Sequence, residues 1–263
     1  MNTRSRYSLA LIAAIFWMVA IVLVYFWIHK PLTPPLAKAL GGGLLDFFSV
    51  AVMVVISGGT GRMVIIRLLP GWSESLSREE RFAAEALLGL GIMSVIIFAV
   101  GLIWLNAISM FVVLILLAGF SFSHLPGWLR DVRTWQREFD FDFQWGRGLT
   151  WFTGLNLAMA LVMALAPPTK FDALTYHLNG AKLWVEAGKF ESLPGNHFFG
   201  FPQLVNTLYA GHMALLMGRF TGAAALHWMI GVLLLLAVLG YGTRRFNRFV
   251  GMLAVGFLLA ATS

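Results

Sequence analysis

Residues 82–105 read FAAEALLGLGIMSVIIFAVGLIWL, with Glu85 as the one charged position. A helix rises about 1.5 Å per residue, so a stretch of this length crosses the roughly 30 Å of hydrocarbon in a bilayer. Working outward, comparable apolar runs occupy Ser8–Ile28, Ala39–Gly61, Ala107–Phe122, Thr150–Ala166, Thr221–Gly240 and Phe249–Ala261. Those from Ala107, Thr150 and Phe249 are the short ones. The composition agrees: 59% of the 263 residues are hydrophobic, 12% are charged, and cysteine is absent. Soluble domains carry about 25% charged residues. Too few polar side chains are present to cover a soluble surface, which excludes an ordinary soluble enzyme, a disordered chain and a secreted disulfide scaffold. The expected fold is all-α, a polytopic transmembrane helix bundle of about seven spans.

The net charge of +7 does not point to nucleic acid, because the arginines sit in short clusters between apolar runs. Arg4 and Arg6 precede the first run, which ends in Tyr25-Phe26-Trp27-Ile28-His29-Lys30 with no small-x-small cleavage site and so reads as an uncleaved span. Arg62, Arg67, Arg78 and Arg81 follow the second run; Arg130, Arg133, Arg137 and Arg147 follow the fourth. Arg244, Arg245 and Arg248 form a further cluster. With all of these inside, the N-terminus is cytoplasmic, and the Lys30–Lys38 link, the turn at Asn106 and the stretch Pro167–Arg219 face outward. Two regions result: a four-span part over 1–147, and a module over 148–263 with one span, an outer loop over 167–220 and two further spans. The chain stops at Ala261-Thr262-Ser263 at the end of an apolar run, the pattern expected of a truncated chain.

The outer stretch resolves into two juxtamembrane amphipathic helices. Asp172 reads as the N-cap of a helix over Ala173–Ala187, where Leu174, Leu178, Ala181 and Val185 make one apolar face and Gly188 is the stop. A loop rich in Gly, Pro and Phe spans Glu191–Pro202. Gln203–Gly218 is read as a second helix lying on the membrane surface and holding Asn206 and His212, its start set by Pro202.

The most informative run for chemistry is Ala166-Pro167-Pro168-Thr169-Lys170-Phe171-Asp172-Ala173-Leu174-Thr175-Tyr176-His177-Leu178. An acid, a tyrosine and a histidine follow directly on a span. Phe199-Gly200-Phe201-Pro202-Gln203-Leu204 and an arginine-tipped span come after it. This order, over about Gly148–Ser263, resembles the opening module of the GT-C glycosyltransferases, such as protein O-mannosyltransferases and lipid A aminoarabinose transferases. The resemblance implies transfer of a sugar from a polyprenyl-phosphate donor to a hydroxyl acceptor of unknown identity on the outer face. Asp172 matches the family's loop acid, the base that takes the acceptor's proton. Lys170 and Arg219 stand at heights suited to the leaving phosphate, and Tyr176 and His177 fall within about one turn of the acid. The sequence departs from the family where many members carry a second acid: Asp172 is followed by Ala173. Bacterial members act at the plasma membrane, the localisation expected here.

Each candidate also has a plainer reading. Tyr176 and His177 fit interfacial anchors, Lys170 a snorkelling lysine and Arg219 a headgroup contact. Asp46 lies about two turns inside the second run, a depth at which an ionisable group is a functional candidate by default. It also fits a carboxylate near the positive end of its helix, and it enters here as a substrate-binding candidate. Glu85 is placed at the inner interface. His29, His177, His197, His212 and His227 all fall on the outer side without metal-ligand spacing, so no metal and no cofactor is expected. Ser57-Gly58-Gly59-Thr60-Gly61-Arg62 lacks the G-K-[ST] ending of a phosphate loop and reads as a glycine-rich helix end. A non-catalytic membrane scaffold and a transporter subunit are the alternatives, and membrane lipids are partners on every reading.

Overall fold

The computed structural model describes residues 16–21, 23–25, 34–137, 144–169, 171–193, 195, 197–200 and 203–262, and among them there is no strand. The chain divides into two compact units, residues 1–44 and 45–263. In the first unit residues 16–21, 23–25 and 34–44 are helical. The helices from there on are α1 (Pro34–Leu68), α2 (Arg78–Gly101), α3 (Ala107–Ser121), α4 (Leu125–Arg137), α5 (Gln144–Ala164), α6 (Leu178–Ala187), α7 (Leu204–Leu215), α8 (Thr221–Arg245) and α9 (Arg248–Thr262).

Among the described residues, three helices are long and apolar enough to cross a membrane: Ala37–Leu68 within α1, α2 and α8. The α3–α4 pair, bent by 81°, makes a fourth if it is counted as one span. The chain is thus an all-α protein with helices of membrane-spanning length. The sequence led to seven spans. For two of the runs the difference lies in length: α3 and α9 have 15 residues each, about 22 Å of helix at the usual rise. The helix α5 has 21 residues but carries Arg147 and Asn156 and is not apolar enough. Most of the Ser8–Ile28 run lies outside the described residues.

Local signals set the helix starts. Ser77 caps α2 through a capping box: its Oγ accepts from the Glu80 amide, and its own amide donates to Glu80 Oε2 at 2.8 Å. Asn106 and Ser109 do the same for α3.

Glycine sets how closely the helices cross. A Cβ on Gly61 would lie 1.8 Å from the Glu85 carbonyl oxygen, and one on Gly89 would lie 1.8 Å from that of Ser57. The α1 and α2 backbones therefore touch at two reciprocal points, as small residues allow in membrane bundles. The Gly58–Gly61 stretch is not a helix end as the sequence suggested, since α1 runs on to Leu68. Its glycines form a contact face instead: Gly58 lies under the Trp128 ring and Gly59 under Leu125. Trp128 stacks on Phe82 at 4.2 Å and donates its indole N–H to the Phe82 carbonyl at 3.4 Å. Those contacts hold α4 against α1 and α2 after the bend.

The two ends of the bundle differ. At one end Arg244 makes a two-pronged bond to Glu80, at 2.7 and 2.8 Å. Arg62 there reaches Asp131 at 2.8 Å and Glu85 at 3.5 Å, and Arg81 joins Asp131 at 3.3 Å. Glu85 is buried beside these arginines. At the other end the link after α2 is bonded to the link after α6. The Leu105 amide donates to the Gly188 carbonyl, and the Phe190 amide to that of Gly101, both at 2.7 Å. Gly188 ends α6 in the left-handed conformation, φ 70°, as its position in the sequence predicts.

Candidate functional site

The second end carries the residues singled out in the sequence. Phe171 and Asp172 are already helical, and Ala173–His177 form a single π-helical turn that leads into α6. The Leu178 amide donates to the Ala173 carbonyl, five residues back. Such turns are rare and occur often at functional sites. Asp172 is not the N-cap the sequence suggested: its backbone is right-handed helical, φ −60° and ψ −41°, and its side chain makes no capping bond. One turn on, desolvation, with the Asp172 charge and hydrogen bonding to its carboxylate, holds the Tyr176 hydroxyl above its usual pKa. Tyr176 and His177 have ring centroids 4.3 Å apart.

His177 is exposed, and its Nδ1 meets Asn206 Oδ1 on α7 at 3.0 Å. The Asn206 amide donates to Gln203 Oε1, and the Gln203 amide donates to the Phe199 carbonyl at 3.4 Å. On the neighbouring turn of α7 the Tyr209 hydroxyl bonds to His227 Nδ1 of α8 at 2.8 Å, and His227 lies within electrostatic reach of His177. The structure thus gathers Asp172, Tyr176, His177, Gln203, Asn206, Tyr209 and His227 around the π turn. Lys170 lies outside the described residues.

The α7 helix differs from the surface helix expected of Gln203–Gly218. Every residue from Asn206 to Ala214 is buried, and α7 packs against α2, α3, α6 and α8. Such enclosure is possible because its polar residues are bonded inside the protein: Asn206 as above, Thr207 to the Gln203 carbonyl at 2.9 Å, and His212 Nε2 with Ser49 Oγ at 2.7 Å.

Asp46 and Arg219, both substrate candidates in the sequence, are brought together as an ion pair. Arg219 Nε lies 2.7 Å from Asp46 Oδ1 and its terminal nitrogen 2.9 Å from Oδ2, while the Thr221 hydroxyl donates to Oδ2 as well. Asp46 is fully buried, and the Arg219 side chain keeps 37% exposure. The carboxylate bonds push the Arg219 guanidinium further up its range. His212 is also fully buried, its Nδ1 has no hydrogen-bond partner, and burial pushes its pKa down to about 4. Gly222 supports the ring, since a Cβ there would lie 1.7 Å from it.

Sequence reasoning missed Gln203, Tyr209, Thr221 and Ser49 altogether. The one signal toward this side of the site was that Asn206 and His212 interrupt an otherwise apolar stretch. Among the described residues, no three acidic or histidine side chains stand together as a metal site. No protein-family model, curated protein or solved structure matches the chain.

Proposed function

We propose that the chain is a GT-C-like membrane glycosyltransferase. It moves a sugar from a polyprenyl-phosphate donor to a hydroxyl acceptor at the Asp172 end of the bundle. The observation that carries this reading is Asp172 itself: an exposed residue just before a π-helical turn that carries Tyr176 and His177. A hydroxyl is a poor nucleophile until its proton is taken. In the proposed step the acceptor O–H gives its proton to Asp172, and the acceptor oxygen bonds to the anomeric carbon. The bond from that carbon to the phosphate oxygen breaks, leaving its electron pair on the phosphate. In the same reading the seven apolar runs cross a bacterial plasma membrane with the arginine-rich links in the cytoplasm, and the Asp172 end faces outward. Arg219 is committed to Asp46, so its part-exposed side is what remains for a phosphate.

The test is transfer from a polyprenyl-phosphate sugar by the full chain in lipid nanodiscs, wild type against Asp172→Asn. Removing a general base lowers rates by about 10²–10⁴-fold. Unchanged transfer in a well-inserted Asp172→Asn protein sinks the assignment. A second reading, a non-catalytic scaffold, is favoured by the pairing of buried Asp46, Glu80 and Glu85 with arginines across the bundle. Absence of transfer in the wild type would select it.

A further inference from the structure

The hydrogen bonds behind His177 form a chain with one fixed end. A backbone carbonyl only accepts, so the group on Gln203 that faces Phe199 O must be its NH2. That turns Gln203 Oε1 toward Asn206, which must then present its own NH2 there. Asn206 Oδ1 is left facing His177 Nδ1, at 3.0 Å. An amide oxygen has no proton to give, so the proton in that bond belongs to His177 Nδ1. The neutral ring therefore holds its proton at Nδ1 and presents Nε2 as a bare acceptor. Nothing local in the sequence dictates this tautomer; two side chains and one carbonyl impose it.

The rest of the cluster has the same polarity. The Asp172 carboxylate, when ionised, only accepts. The ionisable groups on the elements around the His177 ring are Tyr176 beside it on the π turn, Asp172 just before that turn, Tyr209 on α7 and His227 on α8, the last two bonded to each other. A carboxylate and a locked imidazole acceptor both suit a ligand rich in O–H donors, and neither suits a phosphate.

We propose that Asp172 and His177 Nε2 form a subsite for a polyhydroxylated ligand, a glycoside or similar polyol, with Asn206 and Gln203 as the positioning residues that hold Nε2 in its accepting form. This rests on the transfer reading only for what the ligand does next: the subsite takes the hydroxyl-bearing partner, and the phosphate binds elsewhere. Asp172 receives the reacting proton, and His177 Nε2 accepts a hydrogen bond from a second hydroxyl and orients it.

The experiment is ¹⁵N NMR of histidine-labelled full chain in nanodiscs, with His177 assigned by the signal lost in His177→Gln. The expected result is a neutral His177 ring protonated at Nδ1. Asn206→Asp keeps that tautomer, because a carboxylate still accepts there, whereas Asn206→Leu releases it. Methyl glucoside is expected to shift the Nε2 resonance, and inorganic phosphate is not. The shift is lost in Asn206→Leu and kept in Asn206→Asp. A wild-type ring protonated at Nε2 overturns the lock whether or not any variant folds. A shift with phosphate alone, or with neither probe, overturns the subsite. Glycoside binding in a protein that transfers no sugar would remove the transferase reading and leave the subsite standing.

Discussion

The Arg219 guanidinium grips Asp46 with two parallel bonds, 2.7 and 2.9 Å long, across 173 residues of sequence. The acid is fully buried and the base is a third exposed. Removing one partner of a buried pair costs about 3–5 kcal/mol, because it strands the other charge. For Arg219→Ala the stranded charge is the buried one, and for Asp46→Ala it is the arginine, which turns to solvent. Arg219→Ala is therefore expected to be the more damaging, near 3 kcal/mol after allowance for the exposure of the arginine, with Asp46→Ala at about half of that. Denaturant titration followed by tryptophan fluorescence in detergent orders the two, and equal losses would count against the asymmetry.

The α1–α2 crossing leads to a sharper contrast. A methyl at Gly89 would run into the Ser57 carbonyl at 1.8 Å, and backbone cannot step aside as a flexible side chain can. Gly91, two residues on, has nothing within 4 Å of its would-be Cβ. Gly89→Ala is expected to force the helices apart, with an overpacking cost of about 1–3 kcal/mol or more. Gly91→Ala is expected to be neutral or to stabilise by up to about 1 kcal/mol, since alanine is the better helix former. Thermal unfolding of the two single variants decides it, and similar midpoints would mean the crossing is looser than the backbone contact implies.

Glu80 serves two ends at once. It closes the capping box with Ser77 and takes both prongs of Arg244 from α8. Ser77→Ala removes only the cap, worth about 1 kcal/mol. Glu80→Ala removes the cap's return bond and also leaves Arg244 without its acid, so its loss is expected to exceed that of Ser77→Ala clearly. Because Arg244 and the cap meet in one side chain, the double variant Glu80→Ala/Ser77→Ala should cost less than the sum of the singles. Denaturant midpoints of the three variants check this, and an additive double variant would show that the two bonds act independently.

These pairs show where sequence reading stops. The apolar run over 82–105 and the helix over Ala173–Ala187 with its Gly188 stop are legible because length, periodicity and terminators are local properties. The Ser77–Glu80 capping signature is local in the same way. Arg244 as the second partner of Glu80 lies 164 residues away, and no spacing rule connects them. The π turn at Ala173–His177 has no propensity signature. Asp46 stood out as a costly charge at depth, but its meaning depended on which cation the fold would bring. The same holds for His177, whose accepting nitrogen is decided by Asn206 and, beyond it, a carbonyl at Phe199.

The buried histidine sets a pH dependence. His212 titrates at about 4 in the folded chain, because burial disfavours its charged form, against about 6.5 for a histidine in an unfolded chain. Between those values the unfolded state binds the extra proton, so stability rises with pH there. The contribution is complete above about pH 6.5 and is lost as pH falls toward 4. The full difference of about 2.5 pKa units corresponds to about 3 kcal/mol. Ser49 would keep its bond to the Asp46 carbonyl but lose that to His212 in His212→Phe, so that variant begins less stable at neutral pH. Its stability should nevertheless fall less steeply than that of wild type between pH 6.5 and 4, and the two curves should converge. Denaturant midpoints measured across that window for both proteins test it. Parallel curves would mean that His212 is already protonated, or accessible to water, in the folded state.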